Sequence, residues 1–225
     1  SYSGPDYQGQ IFTGCTSLKK ITVPAGVTKI SDCAFSYCSY LEEVVIPSTV
    51  KTIGENAFYG CSNLKTVTIA EGLETIGYAA FQYCSAMEEI TLPQSLTAID
   101  GYAFCSCTSL KSIEIPGGVK TLSNDAFNVC TALETVVMNS GTTNLNEAAF
   151  VGCTSLKNIT LPDTLTYIGR RVFEDCSALE EVVLPNSVTK ICFEAFKNCT
   201  NLAQINFPLS WAEAPTRHGN YSGPD

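Results

Sequence analysis

Apolar residues return along this chain with a period of 23. Phenylalanine stands at Phe12, Phe35, Phe58 and onward to Phe196, and a cysteine follows three residues later each time, from Cys15 to Cys199. Within one unit, Leu41 is followed at +3 and +5 by Val44 and Ile46, so Glu43 to Ile46 alternate outward and inward with strand periodicity. Pro47 closes the strand because it has no N–H for a ladder, and proline recurs at 24, 93, 116, 162, 185 and 208. Val50 and Ile53 form a second inward pair. Ala57, Phe58 and Cys61 then fall at i, i+1 and i+4, which predicts one helical turn over Asn56 to Cys61. Each unit reads as strand, turn, short extended arm and helical turn.

A period of this size marks a stacked-repeat architecture. One unit cannot bury its apolar residues alone. Stacked, the Phe, Leu and Ile columns make a continuous core, and the strands make a parallel sheet down one face. The expected organisation is a single domain over 1–225, with 1–10 a truncated first repeat, 11–208 nine stacked units and 209–225 an irregular tail. Tyr7 falls in the isoleucine slot of the truncated repeat, and Trp211 is expected to cover the open end of the core. Unit 6 departs from the pattern, with Asn139 in the proline slot and Thr142 in a valine slot. Its length is kept, so the stack should continue there with local loosening.

The pattern Leu-x-x-Ile-x-Ile-Pro-x-x-Val-x-x-Ile-Gly-x-x-Ala-Phe-x-x-Cys, over about residues 11–208, resembles the BspA-like leucine-rich repeats of bacterial and protist surface proteins. The resemblance implies an α/β solenoid. Its form would be a right-handed curved leucine-rich-repeat stack with a parallel β-sheet on one face and short helical turns on the other. It also implies a cell-surface or secreted, adhesin-like module that recognises a protein partner, such as a host or extracellular-matrix protein. The family offers no catalytic residues and no cofactor to carry over. An intracellular scaffold of the same fold is the alternative, since exposed free thiols suit a reducing compartment. The surface reading places the signal and anchor outside this stretch.

A second rhythm lies over the first. Lys19, Glu42, Lys65, Glu88, Lys111, Glu134, Lys157 and Glu180 alternate in sign at one slot, which makes the building block 46 residues long. Lys20, Glu43, Glu89 and Glu181 stand one position further on, and these twelve residues are the candidate binding residues of the strand face. Strands in register lie about 4.8 Å apart, so each carboxylate of the column should have an ammonium on both sides. That arrangement spares the sheet from stacking like charges. The outward strand slots are rich in Thr and Val, such as Thr22, Val45, Thr68, Thr91 and Val183. Strand propensity accounts for them, and a flat, mildly apolar binding sheet would use the same residues.

Nine of the twelve cysteines share one core slot, where a thiol behaves as a small hydrophobe. Neighbouring slots are close enough for disulfides, but pairing would leave one of the nine over, so a ladder of free thiols is expected. Cys33, Cys105 and Cys192 lie off the ladder and are expected to be exposed. A net charge of −9 argues against nucleic acid and against anionic membrane surfaces, and no apolar run is long enough to insert in a membrane. The single histidine, His218, lies in the tail, so the repeats hold no imidazole base for Ser-His-Asp or Cys-His chemistry. Cys105-x-Cys107 lacks the further ligands of a zinc site, so no metal is expected. Adjacent carboxylates such as Glu88 and Glu89 diverge on a strand edge, and no enzyme activity is expected. Asn158, Asn198 and Asn220 open glycosylation sequons of chance frequency.

Overall fold

A computed structural model of the chain describes residues 10–206 and 208. The expectations for Tyr7, Trp211, His218, Asn220 and the tail concern residues outside that range. Nine coils stack in parallel with a register shift of 23 throughout, as in Val44 opposite Val67 and Ile53 opposite Ile76. The short arms form one eight-stranded parallel sheet, from Lys29–Ile30 in coil 1 to Lys190–Ile191 in coil 8. Between the arms and the strand face lies a single core cluster. Its Phe58, Phe81, Phe104, Phe127, Phe150 and Phe173 rings are fully buried.

The phenylalanines form an unbroken stack from Phe12 to Phe196, with ring centroids 5.1–5.8 Å apart and planes within 21° of parallel. The cysteine column beside it is free thiol throughout. From Cys38 to Cys199 each thiol of the column has a hydrogen-bond role that the sequence pattern does not reveal. Cys61 Sγ donates to Phe35 O at 3.1 Å, Cys107 to Phe81 O at 3.2 Å and Cys153 to Phe127 O at 3.3 Å. The same Phe35 carbonyl accepts the Cys38 N–H at 3.1 Å, so both its lone pairs are used inside the core. Cys33 and Cys192 are half-buried, but Cys105 is buried, contrary to expectation. It occupies the slot of Ser36 and Glu174, which are buried as well. The bulky or polar residues that fill this slot elsewhere obscure its position.

The expected helical turns are absent among the described residues. In the segment from Asn56 to Cys61 the amides alternate in target. Asn56, Phe58 and Gly60 donate to Tyr78, Ala80 and Gln82 of the next coil, each at 2.8 Å. Ala57, Tyr59 and Cys61 donate within the coil to the residue three before, at 3.1–3.3 Å. A helix would direct all its amides inward and leave nothing to join the coils on this side. Alternation requires left-handed residues, and each such segment from coil 2 onward has two, for example Asn56 at φ 53° and Gly60 at φ 70°. Apolar spacing at i, i+1 and i+4 does not separate this conformation from a helical turn.

The strand face is also less continuous than the period implies. One three-stranded sheet joins Lys20–Thr22, Glu43–Ile46 and Thr66–Ile69, and another joins Ser112–Ile115, Thr135–Met138 and Asn158–Thr160. A two-stranded sheet follows, made of Glu181–Val182 and Gln204–Ile205. Coil 4 joins neither neighbour over residues 89–92. The last inward strand slot holds Leu92, Leu161 and Leu184 in coils 4, 7 and 8, whose strands are missing or short. Coils 2, 3 and 5 hold Ile46, Ile69 and Ile115 there and keep four-residue strands. Leucine lacks the β-branch that favours extended backbone. Unbranched Met138 nevertheless ends a four-residue strand in coil 6, and β-branched Val23 follows a three-residue one in coil 1, so the branch alone does not set strand length. Coil 6, where loosening was expected, is paired on both sides. Its buried Thr142 hydroxyl donates to Val119 O at 2.7 Å, which removes the penalty of a polar group in the core.

Two predictions follow from this packing. Burial pushes the Cys61 thiol up to about 12 and raises Cys84, Cys107, Cys130 and Cys153 well above the ordinary value of 9.0. A thiol held protonated in the fold stabilises fully below the unfolded pKa, and that stability is lost as pH rises through the folded one. Stability should therefore fall from pH 9 upward, by about 1.4 kcal/mol per pH unit for each such thiol. Cys107→Ala should lower stability at pH 7 by roughly 1–2 kcal/mol and reduce the alkaline slope by one thiol's share. A slope unchanged by the substitution would show that the ladder is not buried and protonated. In native protein, a thiol reagent should reach no more than Cys15, Cys33, Cys192 and Cys199, the half-buried set.

The second concerns Val129, which sits at φ 58° in the slot that Gly14, Gly60 and Gly152 fill elsewhere. A β-branched residue is the least suited to that region. Val129→Gly should raise stability by up to about 1 kcal/mol, the relief exceeding the added chain entropy. A denaturation midpoint that stays put or falls would show that this backbone carries no strain.

Candidate interaction surface

The strand face presents the charged columns as a consequence of backbone pairing. Glu42 N donates to Lys19 O at 2.8 Å, Lys65 N to Glu42 O at 3.0 Å, and Glu134 N to Lys111 O at 2.8 Å. Neighbouring column members are thereby held one coil apart. Lys19, Lys20, Glu42, Lys65, Glu88, Glu89, Lys111, Glu134, Lys157, Glu180 and Glu181 are exposed, and Glu43 is half-buried. Lys20, Glu43 and Glu181 lie within strands, while the alternating column lies just ahead of them.

The electrostatics are paired rather than evenly laddered. Lys111 Nζ lies 2.6 Å from Glu88 Oε2, Lys20 Nζ lies 2.8 Å from Glu43, and Lys19 Nζ is 4.0 Å from Glu42. The Lys111 ammonium draws the Glu88 carboxyl below its usual range by hydrogen bond and charge, with a smaller contribution from Lys65. Glu88 thus has one close cation and one distant one. The backbone is unequal in the same sense, since Lys111 N donates to Glu88 O at 3.0 Å although coil 4 adds a strand to neither neighbouring sheet. Two shallow clefts open at the interruptions. One of about 410 Å³ is lined by Lys65, Thr66, Glu88, Glu89, Lys111 and Ser112. The other, of about 460 Å³, is lined by residues that include Lys157, Asn158, Glu180, Glu181 and Val183. The structure therefore brings the Glu88–Glu89 and Glu180–Glu181 pairs to cleft edges, four coils apart on one face.

A second charged cluster escaped the sequence pattern. Glu174 is buried, and its carboxylate is paired with Arg171 and with Lys197 Nζ at 3.0 Å. Lys197 also meets Glu194 at 3.2 Å. Arg171 and Lys197 hold the Glu174 carboxyl below its usual range against the opposing effect of desolvation. The signal was present in the chain: Glu174 stands three residues after Arg171 and one period before Lys197. No group of His, Cys, Asp and Glu among the described residues has the geometry of a metal site. No helix among them is long and apolar enough to cross a membrane.

The column makes a specific prediction. Glu88→Gln deletes one attraction to Lys111, whereas Glu88→Lys sets three ammonium groups in sequence along the face. The reversal should lower the melting temperature more than the deletion at low salt, and the gap should close at high salt as exposed charges are screened. Equal melting of the two variants at low salt would show that the column does not act as a ladder.

Comparison with known proteins agrees with this geometry. The model of the BspA type leucine rich repeat region matches residues 8–134 and 122–217, with 6 copies. The crystal structure of a leucine-rich repeat protein of T. pallidum is similar to this chain at 33% identity. It covers 72% of this chain and 78% of its own length, with a TM-score of 0.69. A leucine-rich repeat protein from Bacteroides ovatus is 26% identical over 88% of this chain and 75% of its own, with a TM-score of 0.45. No curated protein matches. With matching repeats over most of its length and a parallel stack of 23-residue coils, this chain belongs to the BspA-type leucine-rich repeat family.

Proposed function

We propose that this chain is a non-enzymatic, adhesin-like binding module that recognises a protein partner through its strand face. The observation that carries the reading is the exposed, in-register array of Lys and Glu columns, opened at two clefts with carboxylates on their rims. A solenoid face of this kind presents an extended surface rather than an enclosed pocket, which suits a macromolecule better than a small substrate. Glu89, Glu180 and Glu181 have no Lys or Arg nitrogen within 4.0 Å among the described residues, so a cationic patch on a partner would meet unneutralised charge. A cell-surface or secreted setting, with a host or extracellular-matrix protein as partner, is the part of the proposal that rests on family analogy.

The test is a pull-down with the full chain against extracellular-matrix and host-surface proteins. The control is the variant Glu88→Gln/Glu89→Gln/Glu180→Gln/Glu181→Gln, first checked by circular dichroism for an intact fold. A partner retained by the native chain and reduced at least tenfold by the variant is expected. No partner enriched over the variant would count against the strand-face reading.

A further inference from the structure

The turn edge of coils 2–5 carries an aromatic surface that the strand-face reading leaves unused. Tyr37, Tyr59 and Tyr83 run in edge-to-face contact, with centroids 5.2 and 5.4 Å apart. Tyr78 and Tyr102 make a second pair at 5.5 Å. Tyr37, Tyr78 and Tyr83 remain 58%, 46% and 45% exposed, so this surface is offered to solvent rather than absorbed into the core.

Three of these rings lie on left-handed backbone. Tyr37 and Tyr83, at φ 58° and 63°, share a slot filled by Gly14, Gly60 and Gly152 but also by Ser106, Val129, Asp175 and Asn198, and Tyr102 is at φ 58° in the other left-handed slot. A residue with a Cβ is disfavoured there, and glycine is not. Gly60 in turn makes room for the platform, because a Cβ at that position would lie 3.0 Å from the Tyr37 ring. The left-handed conformation belongs to every coil and marks no site by itself. What is particular to Tyr37 and Tyr83 is that the side chains carried there are broad rings left in solvent, which contribute little to the core. Tyrosine is also the residue most suited to a contact surface, being rigid, broad and amphipathic.

The local charge identifies the chemistry of the partner. The turn segments 31–40, 54–63, 77–86 and 100–109 carry Asp32, Glu55 and Asp100 and no Lys, Arg or His. Asp32 is paired with Lys29 at 3.2 Å, which leaves Glu55 and Asp100 as the carboxylates open to a partner. Aromatic faces and carboxylates both attract cations, and neither attracts an anion. Guanidinium answers both, since it stacks flat on a ring and donates to carboxylates from its edge. Tyr37 and Tyr83 belong to coils two apart, about 10 Å along the stack, and three residues of a polyproline II helix rise about 9 Å while bringing every third side chain to the same face. We propose that this edge docks a polypeptide segment in the polyproline II conformation, bearing arginine at every third residue and lying along the solenoid axis.

The experiment is calorimetric titration of the full chain with a nine-residue peptide carrying Arg at every third position among Ser and Thr. Three comparisons accompany it: the same residues with the arginines adjacent, an uncharged glucose hexasaccharide, and the variant Tyr37→Gly/Tyr83→Gly. The spaced peptide should bind at least tenfold more tightly than the clustered one. The double variant should lose that preference while melting no lower than the native chain, because glycine suits both positions. Glu180→Gln/Glu181→Gln, on the strand face, should leave the affinity unchanged, so this proposal and the strand-face reading fail separately. Equal binding of the two peptides, or binding retained by the tyrosine variant, would reduce the effect to bulk charge and overturn the proposal. Hexasaccharide binding that depends on the tyrosines without any peptide preference would replace it with a glycan site. A lower melting temperature in the double variant would mean that the rings serve the fold.

Discussion

Every element of this molecule answers to one spacing, the distance at which successive coils exchange backbone hydrogen bonds. That distance is about 4.8 Å between parallel strands, and the arms, the strand face and the turn edge all keep it. A side chain at any slot must therefore tolerate a near-copy of itself at that distance. Phenylalanine does so by stacking, with centroids of 5.1–5.8 Å. Cysteine does so by donating to the carbonyl of a phenylalanine in the preceding coil. Threonine does so in hydroxyl ladders, Thr143 to Lys120 O and Thr166 to Thr143 O at 3.1 and 3.2 Å. A charged residue has no such self-compatible form. The alternation of Lys and Glu along the strand face is the solution left to it.

The same constraint explains which parts of the fold were legible in the chain. The apolar columns, the arms and the thiol slot recur with the period, so one unit read correctly reads most of the others, with exceptions such as Thr142 in a valine slot and half-buried Cys15 and Cys199 at the ladder's ends. The turn edge was misread as helical because the apolar pattern reports only which residues point inward. It says nothing of where the amides point, and here alternate amides leave the coil. The breaks in the strand face escaped for another reason. They leave the period intact, and the residue type in the last inward slot does not separate them, since Met138 keeps a four-residue strand where Leu92 has none. Cys105 was misplaced because its slot accepts Ser36, Tyr59, Glu174 and Lys197 in turn, and no single residue type reveals its burial.

Function is harder to read for a related reason: a repeat specifies its own continuation, and a site is a departure from it. The candidate strand-face residues were found because their alternation is itself periodic. Their unequal pairing is not periodic: Glu88 lies close to Lys111, whose N–H also donates to Glu88 O at 3.0 Å. Tyr37 and Tyr83 stand 46 residues apart in one slot, but Gly60, Ser106 and Val129 fill that slot in other coils, so the tyrosines do not continue along the stack.

Departures from the repeat divide into two kinds, and the division bears on function. Some are absorbed: Thr142 enters a valine slot with its hydroxyl satisfied, and Glu174 enters a buried slot with Arg171 and Lys197 around it. In each case a second residue compensates, and the stack continues as though nothing had changed. Others are not absorbed. Tyr37 and Tyr83 occupy left-handed positions that glycine serves elsewhere and leave their rings in water. Nothing in the core requires them. Ser106, Val129, Asp175 and Asn198 share that left-handed slot, so the conformation belongs to the coil and the exposed rings alone are particular to Tyr37 and Tyr83. In a chain built by repetition, large side chains that the core does not need, joined by others on the same edge, are where a partner should be sought.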